Sequence, residues 1–267
     1  MMSQTAENVR IGIGTRIYMN FRVIGTALIF TFISVGGFIM SLTIFPLITL
    51  FSGTEEKKHL RVQKTLHHTS RLVVFLMKIL RLVKLNRVNW EKINNEGKGI
   101  LYISNHPTLI DYVYLVSLFP QMDCIVKTGL WNNFFLKGVV QAAGYIKADS
   151  ATYFKEESLK RLNSGRNIII FPEGTRSLPD KMRPFKKGAA SLVVSSTCKV
   201  RILTIKCTPP ILMKGQKWYD VPPQMATINI HAYDELHREE ATQGEQNYIK
   251  AQANVNNYLW NYINNRL

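Results

Sequence analysis

The chain has 267 residues, of which 46% are hydrophobic and 19% are charged. This length suits one sizeable domain with a short appendage, and the content of branched and aromatic residues excludes intrinsic disorder for most of it. Lysine and arginine number 34 against 18 aspartate and glutamate, which gives a formal net charge of +16. Such an excess predicts an anionic partner, namely nucleic acid, an anionic membrane surface or an acidic protein, unless it serves solubility alone.

An uncharged apolar run, Val23–Phe51, stands near the amino terminus. It is long enough to cross a hydrocarbon core of about 30 Å and longer than the apolar region of a signal peptide. Two membrane geometries stay open: one straight span, or two shorter helices that enter and return, broken at Gly36–Gly37 and Pro46. A buried core helix is the third alternative. We assign residues 1–56 to a membrane-anchoring segment, and this single concentration of apolar residues argues against a polytopic membrane protein.

Residues 57–85 form the next predicted unit, a long basic amphipathic helix. Its apolar side chains recur at helical spacing over residues 72–83, and lysines and arginines supply the charge. Two interpretations stay open: the helix lies on an anionic membrane, or it packs on the protein's own core with its basic face in solvent. The adjacent His67 and His68 point in different directions on a helix, and we expect both at the surface.

From residue 86 the pattern changes to short apolar runs that alternate with helical stretches. This predicts an α/β domain over residues 86–267, with a mixed sheet covered by helices. The predicted strands cover residues 99–104, 123–127, 144–148, 167–171, 200–207 and 225–232. The predicted helices cover residues 108–119, 130–143, 153–164, 189–196 and 245–265.

The cysteines indicate a compartment rather than a function. Cys124, Cys198 and Cys207 are odd in number and show neither a CxxC pair nor the spacing of a zinc site. A disulfide framework is therefore not expected, and reduced thiols suit the cytosol. We expect the protein on the inner (cytoplasmic) membrane, with its active site facing the cytoplasm.

The first motif with chemical meaning is NHPTLID, residues 105–111. His106 falls in the loop after an apolar strand, and Asp111, five residues later, can fold back onto the imidazole. A carboxylate bonded to one ring nitrogen fixes the tautomer and leaves the other nitrogen as a base. No serine or cysteine nucleophile is then needed, if His106 deprotonates an acceptor hydroxyl directly. Alone, the pattern also fits a structural hydrogen bond.

The second motif is FPEGTRS, residues 171–177, directly after a predicted strand. Its glutamate and arginine suit a hydroxyl and a phosphate respectively. Gly188 then opens a helix of small residues whose amides could add to an anion site. The alternative is a solvated, charged loop. The basic residues between this motif and the helix are Lys181, Arg183, Lys186 and Lys187.

Together these motifs resemble those of the glycerophospholipid acyltransferases, the family of lysophosphatidic acid acyltransferase. The resemblance covers roughly residues 86–210 and also includes PFKKGAA (184–190) and ILTIKCTPP (202–210). It implies the family's α/β fold with an amino-terminal membrane segment. In the structurally known members a two-helix motif lies in one leaflet, which favours the re-entrant geometry.

The resemblance also implies a mechanism, with His106 as the base and Asp111 as the residue that orients and polarises it. The acceptor would be a lysolipid hydroxyl, as in 1-acylglycerol-3-phosphate, and the donor acyl-CoA or acyl-carrier protein. Neither a metal nor a bound cofactor is implied, an anionic membrane surface is an expected partner, and nucleic acid is not. The residues expected to bind the acceptor are Glu173, Gly174, Thr175 and Arg176.

One stretch departs from the family pattern of a glycine followed six residues later by an arginine. Ser150 stands where the arginine is expected after Gly144, and Lys147 could substitute only as a point charge. A non-phosphorylated lipid or glycolipid acceptor therefore stays open as an alternative. CIVKTGLW (124–131) and AAGYI (142–146) are similar to a bacterial branch of the family associated with aryl polyene lipid biosynthesis.

Two other function classes explain the sequence less well. A basic membrane-binding or nucleic-acid-binding module accounts for the charge but leaves both motifs without a role, and no stripe of interleaved aromatic and basic residues is found. A thioesterase would share the thioester donor, but it would need a nucleophile or a water site, and the acceptor-binding motif argues against it.

Overall fold

The computed structural model describes residues 12–93, 97–178 and 181–267. Its helices are α1 (Ile13–Leu42), α2 (Ile44–Leu50), α3 (Glu55–Ile79), α4 (Asp111–Leu118), α5 (Thr128–Trp131), α6 (Lys137–Ala142), α7 (Ala151–Asn163), α8 (Gly188–Ser195), α9 (Arg238–Thr242) and α10 (Tyr248–Asn264). Its strands are β1 (Val83–Val88), β2 (Leu101–Ser104), β3 (Asp123–Val126), β4 (Ile146–Lys147), β5 (Ile168–Ile170), β6 (Val200–Thr208) and β7 (Ala226–Glu235).

The amino-terminal apolar run folds into two consecutive helices. α1 has 30 residues, about 45 Å at 1.5 Å per residue, and passes through Gly36–Gly37 without interruption. The break falls instead at Thr43, and Pro46 lies in the first turn of α2, where its missing N–H is tolerated. The predicted break at the glycines is wrong, because glycine lowers helix propensity without removing a hydrogen bond. Ile13–Leu50 is the one stretch of the described residues long and apolar enough to cross a membrane.

The basic helix α3 is shorter than predicted. It begins where the Thr54 side chain caps its first turn, which also carries Glu55 and Glu56, and it ends at Ile79. The sequence predicted a helix through residue 85, whereas Val83–Val88 is strand β1. The segment continues the apolar and basic spacing of the helix, so only its pairing with another strand reveals that it is extended.

α3 is buried along one side and exposed along the other, so it packs on the protein's own core, and its contact with a membrane stays a prediction. The core side includes Val62, Val73 and Met77, and the exposed side includes Leu72, Phe75 and Ile79.

His67 lies on the buried side of α3. Its Nδ1 is 2.8 Å from the carbonyl oxygen of Val116 in α4, whereas His68 is exposed. The predicted surface position is therefore wrong for His67, because the packing of α3 on α4 buries this imidazole and supplies its partner.

One sheet organises the domain, in the order β1-β7-β6-β2-β5-β3-β4. All neighbours run parallel except β6 and β7, which confirms the predicted mixed sheet. β1 lies at one edge and pairs in parallel with β7, from Val83 opposite Ala226 to Val88 opposite His231.

Both faces of the central strands are buried, which explains their unbroken apolar sequences. Leu101 and Ile103 of β2 face a core formed with α7, α8 and α10, while Tyr102 faces the opposite core, formed with α1, α3 and α4. Because α1 and α3 share that second core, the amino-terminal segment is packed on the domain rather than tethered to it.

The predicted helix over residues 130–143 is two short helices, α5 and α6. Oδ1 of Asn133 accepts hydrogen bonds from the amides of Phe135 and Leu136, at 3.1 Å each. This local side-chain turn gives the amides of residues 135 and 136 an acceptor outside a regular helix, and it separates α5 from α6.

Candidate active site

Three loops meet at one edge of the sheet because they leave parallel strands in the same direction. β2 ends at Ser104, β3 at Val126 and β5 at Ile170. His106, Lys127 and Glu173 follow these three ends. The carboxyl edge of a parallel sheet is where such folds collect ligand-binding side chains.

Asn105 fixes the start of the first loop. Its buried side chain donates Nδ2–H to the carbonyl oxygen of Ile205 at 2.8 Å and accepts from the amide of Ile205 at 2.7 Å. This amide therefore continues the pairing of β2 with β6 one residue beyond the strand, and it sets where His106 leaves the sheet.

His106 and Asp111 form the contact that their spacing allows. His106 Nδ1 lies 2.8 Å from Oδ2 of Asp111, whose carboxylate is fully buried. The backbone amide of Thr108 donates to the same oxygen at 2.7 Å, and the Thr108 hydroxyl donates to Oδ1. Asp111 is thus held from three sides, and a carboxylate in this position keeps the proton on Nδ1.

The other face of the His106 imidazole is also restrained. Its ring stacks on Phe171, with centroids 4.4 Å apart and planes 25° apart. The His106 side chain is 19% exposed, and Nε2 has no hydrogen-bond partner among the residues that the structure describes. An oriented imidazole with an open Nε2 is the arrangement that a general base requires.

The carboxylate of Glu173 faces donors of the protein itself, and its predicted contact with the acceptor stays a prediction. Glu173 is only 4% exposed, and its Oε1 accepts from the His106 amide at 3.2 Å and from the Ser177 hydroxyl at 2.7 Å. Its Oε2 accepts from the Arg183 amide at 3.1 Å. The amide of Ser177 in turn donates to the His106 carbonyl oxygen at 2.8 Å. The FPEGTRS loop therefore hydrogen-bonds both the amide and the carbonyl group of His106.

The other residues of this loop line its outer side. Gly174 has a φ of +63°, and a Cβ there would lie 2.9 Å from Cε of Lys186, so glycine suits both the backbone and the space. Thr175 is half-buried. Arg176 donates through Nη1 to the carbonyl oxygens of Leu212 and Met213, at 2.7 and 3.2 Å.

Lys147 and Ser150 lie away from His106. Lys147 is on edge strand β4, three strand spacings or about 14 Å from β2, and its Nζ is 3.0 Å from Asp149. Ser150 accepts from the amide of Tyr153 as the N-cap of α7. Ser150, which stands where the family has an arginine, therefore stabilises the first turn of α7.

A cationic cluster of Lys127, Arg183, Lys186 and Lys214 surrounds the outer side of the site. Burial and the positive charges of Lys186, Lys214 and Arg183 lower the pKa of Lys127. Nε of Arg183 is buried without a hydrogen-bond partner, and none of the four side-chain cations forms a salt bridge among the described residues. The sequence singled out Arg183 and Lys186 but not Lys127 and Lys214, because the sheet and the loop after β6 bring these two in.

Residues 83–208, which contain both motifs, match the family model described as Acyltransferase. A 1-acyl-sn-glycerol-3-phosphate acyltransferase of Helicobacter pylori is 31% identical over 147 residues, which cover 52% of this chain and 59% of that protein. The stretch that carries both motifs is therefore similar to the acyltransferases of glycerophospholipid synthesis.

Other relatives agree at the level of the family and the fold. A chloroplastic 1-acyl-sn-glycerol-3-phosphate acyltransferase of Brassica napus is 24% identical over 67% of this chain and 51% of that protein. The chain thus spans about half the length of such curated relatives. The crystal structure of PlsC, the 1-acyl-sn-glycerophosphate acyltransferase from Thermotoga maritima, superposes with a TM-score of 0.67 over 94% of this chain and 97% of that one, at 16% identity. The narrower resemblance to an aryl polyene branch stays a prediction.

Proposed function

We propose that this chain transfers an acyl group from a thioester donor, acyl-CoA or acyl-carrier protein, to the free hydroxyl of a lysolipid. The observation that carries the proposal is the imidazole of His106, oriented by a buried carboxylate and open at Nε2, beside a cationic cluster with no acidic partner among the described residues. The named relatives act on 1-acyl-sn-glycerol-3-phosphate, and we take the same class of acceptor as the substrate here.

In this mechanism His106 Nε2 takes the proton of the acceptor hydroxyl. The acceptor oxygen bonds to the thioester carbonyl carbon, the carbon–sulfur bond breaks, and the proton passes from the imidazolium to the departing thiolate. Asp111 stabilises the imidazolium and keeps the ring in place. The proposal needs no metal and no bound cofactor.

The cationic cluster supplies the phosphate recognition that the missing arginine would have provided. Lys186 abuts Gly174, next to the Glu173 that holds His106, and Lys214 follows the carbonyl groups that hold Arg176. A phosphate dianion would relieve the mutual repulsion of these cations. The alternative, a non-phosphorylated lipid acceptor, draws its support from Ser150, which caps α7 and brings no charge.

We also propose that α1 lies along the membrane rather than across it. Near its start, Arg22 donates to the carbonyl oxygens of Pro222 and Gln224, at 2.8 and 3.2 Å. Near its end, Phe38 stacks on Phe134, with centroids 5.6 Å apart. A straight span would carry one end of α1 away from the domain, whereas both ends touch it. An α1 that lies in the plane of one leaflet, with the catalytic edge on the cytoplasmic side, fits these contacts.

The test is acyl transfer by the purified full chain in detergent, with acyl-CoA and acyl-carrier protein as donors. His106→Ala should lose about 10²–10⁴-fold in rate while the protein stays folded, because general-base catalysis contributes that much. His68→Ala, which changes an exposed imidazole, should keep full activity. Turnover retained by folded His106→Ala would contradict the mechanism, and hydrolysis without acyl transfer would indicate a thioesterase.

The acceptor class is tested with 1-acylglycerol-3-phosphate against monoacylglycerol, which lacks only the phosphate. Lys127→Ala should raise the KM for the phosphorylated acceptor about tenfold, since a charge-assisted contact is worth roughly 1.5–3 kcal/mol. The matched control is Lys147→Ala, whose ammonium is already paired with Asp149. A wild type that prefers monoacylglycerol, and is indifferent to Lys127→Ala, would support the alternative acceptor.

A further inference from the structure

The turn between α5 and α6 presents two adjacent aromatic rings to the outside. Phe134 is 64% exposed and Phe135 is 48% exposed, and their centroids lie 5.2 Å apart in an edge-to-face arrangement. Leu130 beside them is also exposed. We call residues 130–136 the aromatic tip. Exposed apolar groups that cluster in this way mark a surface that meets another apolar phase.

The aromatic tip is shaped by its own sequence. Asn133 satisfies the amides of Phe135 and Leu136 from within the turn, and the amides of Leu136 and Lys137 donate to its backbone carbonyl at 3.2 and 2.8 Å. The rings therefore project outward over a backbone whose polar groups are largely paired. Such pairing lowers the cost of placing a turn in a medium without water.

The aromatic tip is continuous with the exposed side of α1. Phe38 of α1 stacks on Phe134 and meets Phe135 edge-on, at centroid distances of 5.6 and 6.2 Å. The two elements also touch closely, because a Cβ on Gly138 would lie 2.5 Å from Cβ of Ser41. The exposed apolar side chains in this half of α1 are Phe32, Val35, Ile39 and Leu42.

The charges around this surface select a lipid partner. Between Asp123 and Asp149 the chain carries no acidic residue but three lysines, two of which, Lys127 and Lys137, flank the aromatic tip and its leading helix α5. Residues 12–54 carry arginine and no acidic residue. An apolar surface whose own segments carry only cationic charges complements hydrocarbon under anionic headgroups.

We propose that the aromatic tip is a second membrane-insertion element, which enters the same leaflet as α1. α5 and the tip leave the catalytic edge of the sheet at Lys127, so insertion would hold that edge, with His106, at the lipid surface. The proposal builds on the membrane placement of α1 given above, but its main test does not depend on turnover.

The test uses the full chain in vesicles of phosphatidylcholine and phosphatidylglycerol, with Cys198 and Cys207 replaced by alanine. An environment-sensitive fluorophore is attached at Phe134→Cys, at Leu28→Cys on the exposed side of α1, and at Ile249→Cys. Ile249 is 71% exposed on α10, which belongs to the opposite face of the sheet. Lipids that carry a nitroxide on the acyl chain quench fluorophores within the hydrocarbon.

We expect strong quenching at positions 134 and 28 and little at position 249. Quenching at 28 without quenching at 134 would overturn the inference and leave the placement of α1 intact. Little quenching at both 28 and 134 would overturn both. Equal quenching at all three positions would also overturn it, because the surface would then lie in lipid without selectivity.

A second measurement follows the consequence for catalysis. The double variant Phe134→Ser with Phe135→Ser should lower kcat/KM about tenfold for a long-chain acceptor in vesicles, because two exposed rings no longer seat the site at the lipid. Its kcat/KM for a water-soluble, short-chain acceptor should be unchanged, which shows that the variant is folded. An equal loss with both acceptors would contradict the inference.

Discussion

At the scale of single residues, the contact between His106 and Asp111 was foreseeable, and the placement of Glu173 was not. The contact of His106 with Asp111 joins two residues five positions apart, so their spacing alone keeps the two side chains close. The placement of Glu173 depends on donors from two loops, including a backbone amide 67 positions earlier. A sequence motif reports that a glutamate is needed, but it does not reveal whether its carboxylate faces the substrate or the protein.

This difference yields a prediction for Glu173→Gln. The carboxylate accepts from three donors, and an amide would turn an NH₂ group toward at least one of them, at roughly 1.5–3 kcal/mol per contact. Because His106 would shift, kcat should fall about tenfold or more. The KM for the acceptor should change little, and the matched control is Glu56→Gln at an exposed position. A rise in KM with an unchanged kcat would instead show that Glu173 binds the acceptor.

At the scale of elements, the close contact of α1 with α6 depends on glycines, which have no side chain. Gly37 lies against Val139, where a Cβ would come within 3.2 Å, and Gly138 faces Ser41. Neighbouring Gly36 has nothing within 4 Å of the place a Cβ would take. Two helices that approach this closely behave as one body, so the anchor helix and the catalytic domain should unfold together.

Gly138→Ala should therefore destabilise the protein by about 1–3 kcal/mol, the usual cost of overpacking. This cost exceeds the gain of up to about 1 kcal/mol that alanine brings to a helix. Gly36→Ala should be neutral or stabilising, and adding Ser41→Gly should rescue Gly138→Ala. Thermal unfolding in one detergent measures all three. Equal midpoints for Gly138→Ala and Gly36→Ala would show that the helices separate without cost.

At the scale of the whole molecule, the sequence revealed the central strands and missed the edge strand β1. Strands β2, β5 and β6 are buried on both faces, and such strands are recognised in a sequence as unbroken apolar runs. β1 is half-exposed at the edge, so its sequence reads equally well as a continuation of α3. The sequence also did not predict that Lys127 and Lys214 are neighbours, for a related reason. They lie 87 positions apart, and only the order of the strands brings them together.

α1 contacts the domain at Arg22 and again at Ser41, about 29 Å apart along the helix. This double contact has a consequence for the reaction rate. With α1 in lipid, as proposed above, the catalytic edge would sit at a fixed height, and a lysolipid acceptor would arrive by diffusion in the plane of the leaflet. The variable that governs the rate is then the mole fraction of acceptor in the surface, not its amount per litre. Adding inert phospholipid at constant total acceptor should slow turnover, whereas diluting the vesicles in buffer that keeps the thioester donor at the same concentration should leave the rate per enzyme unchanged.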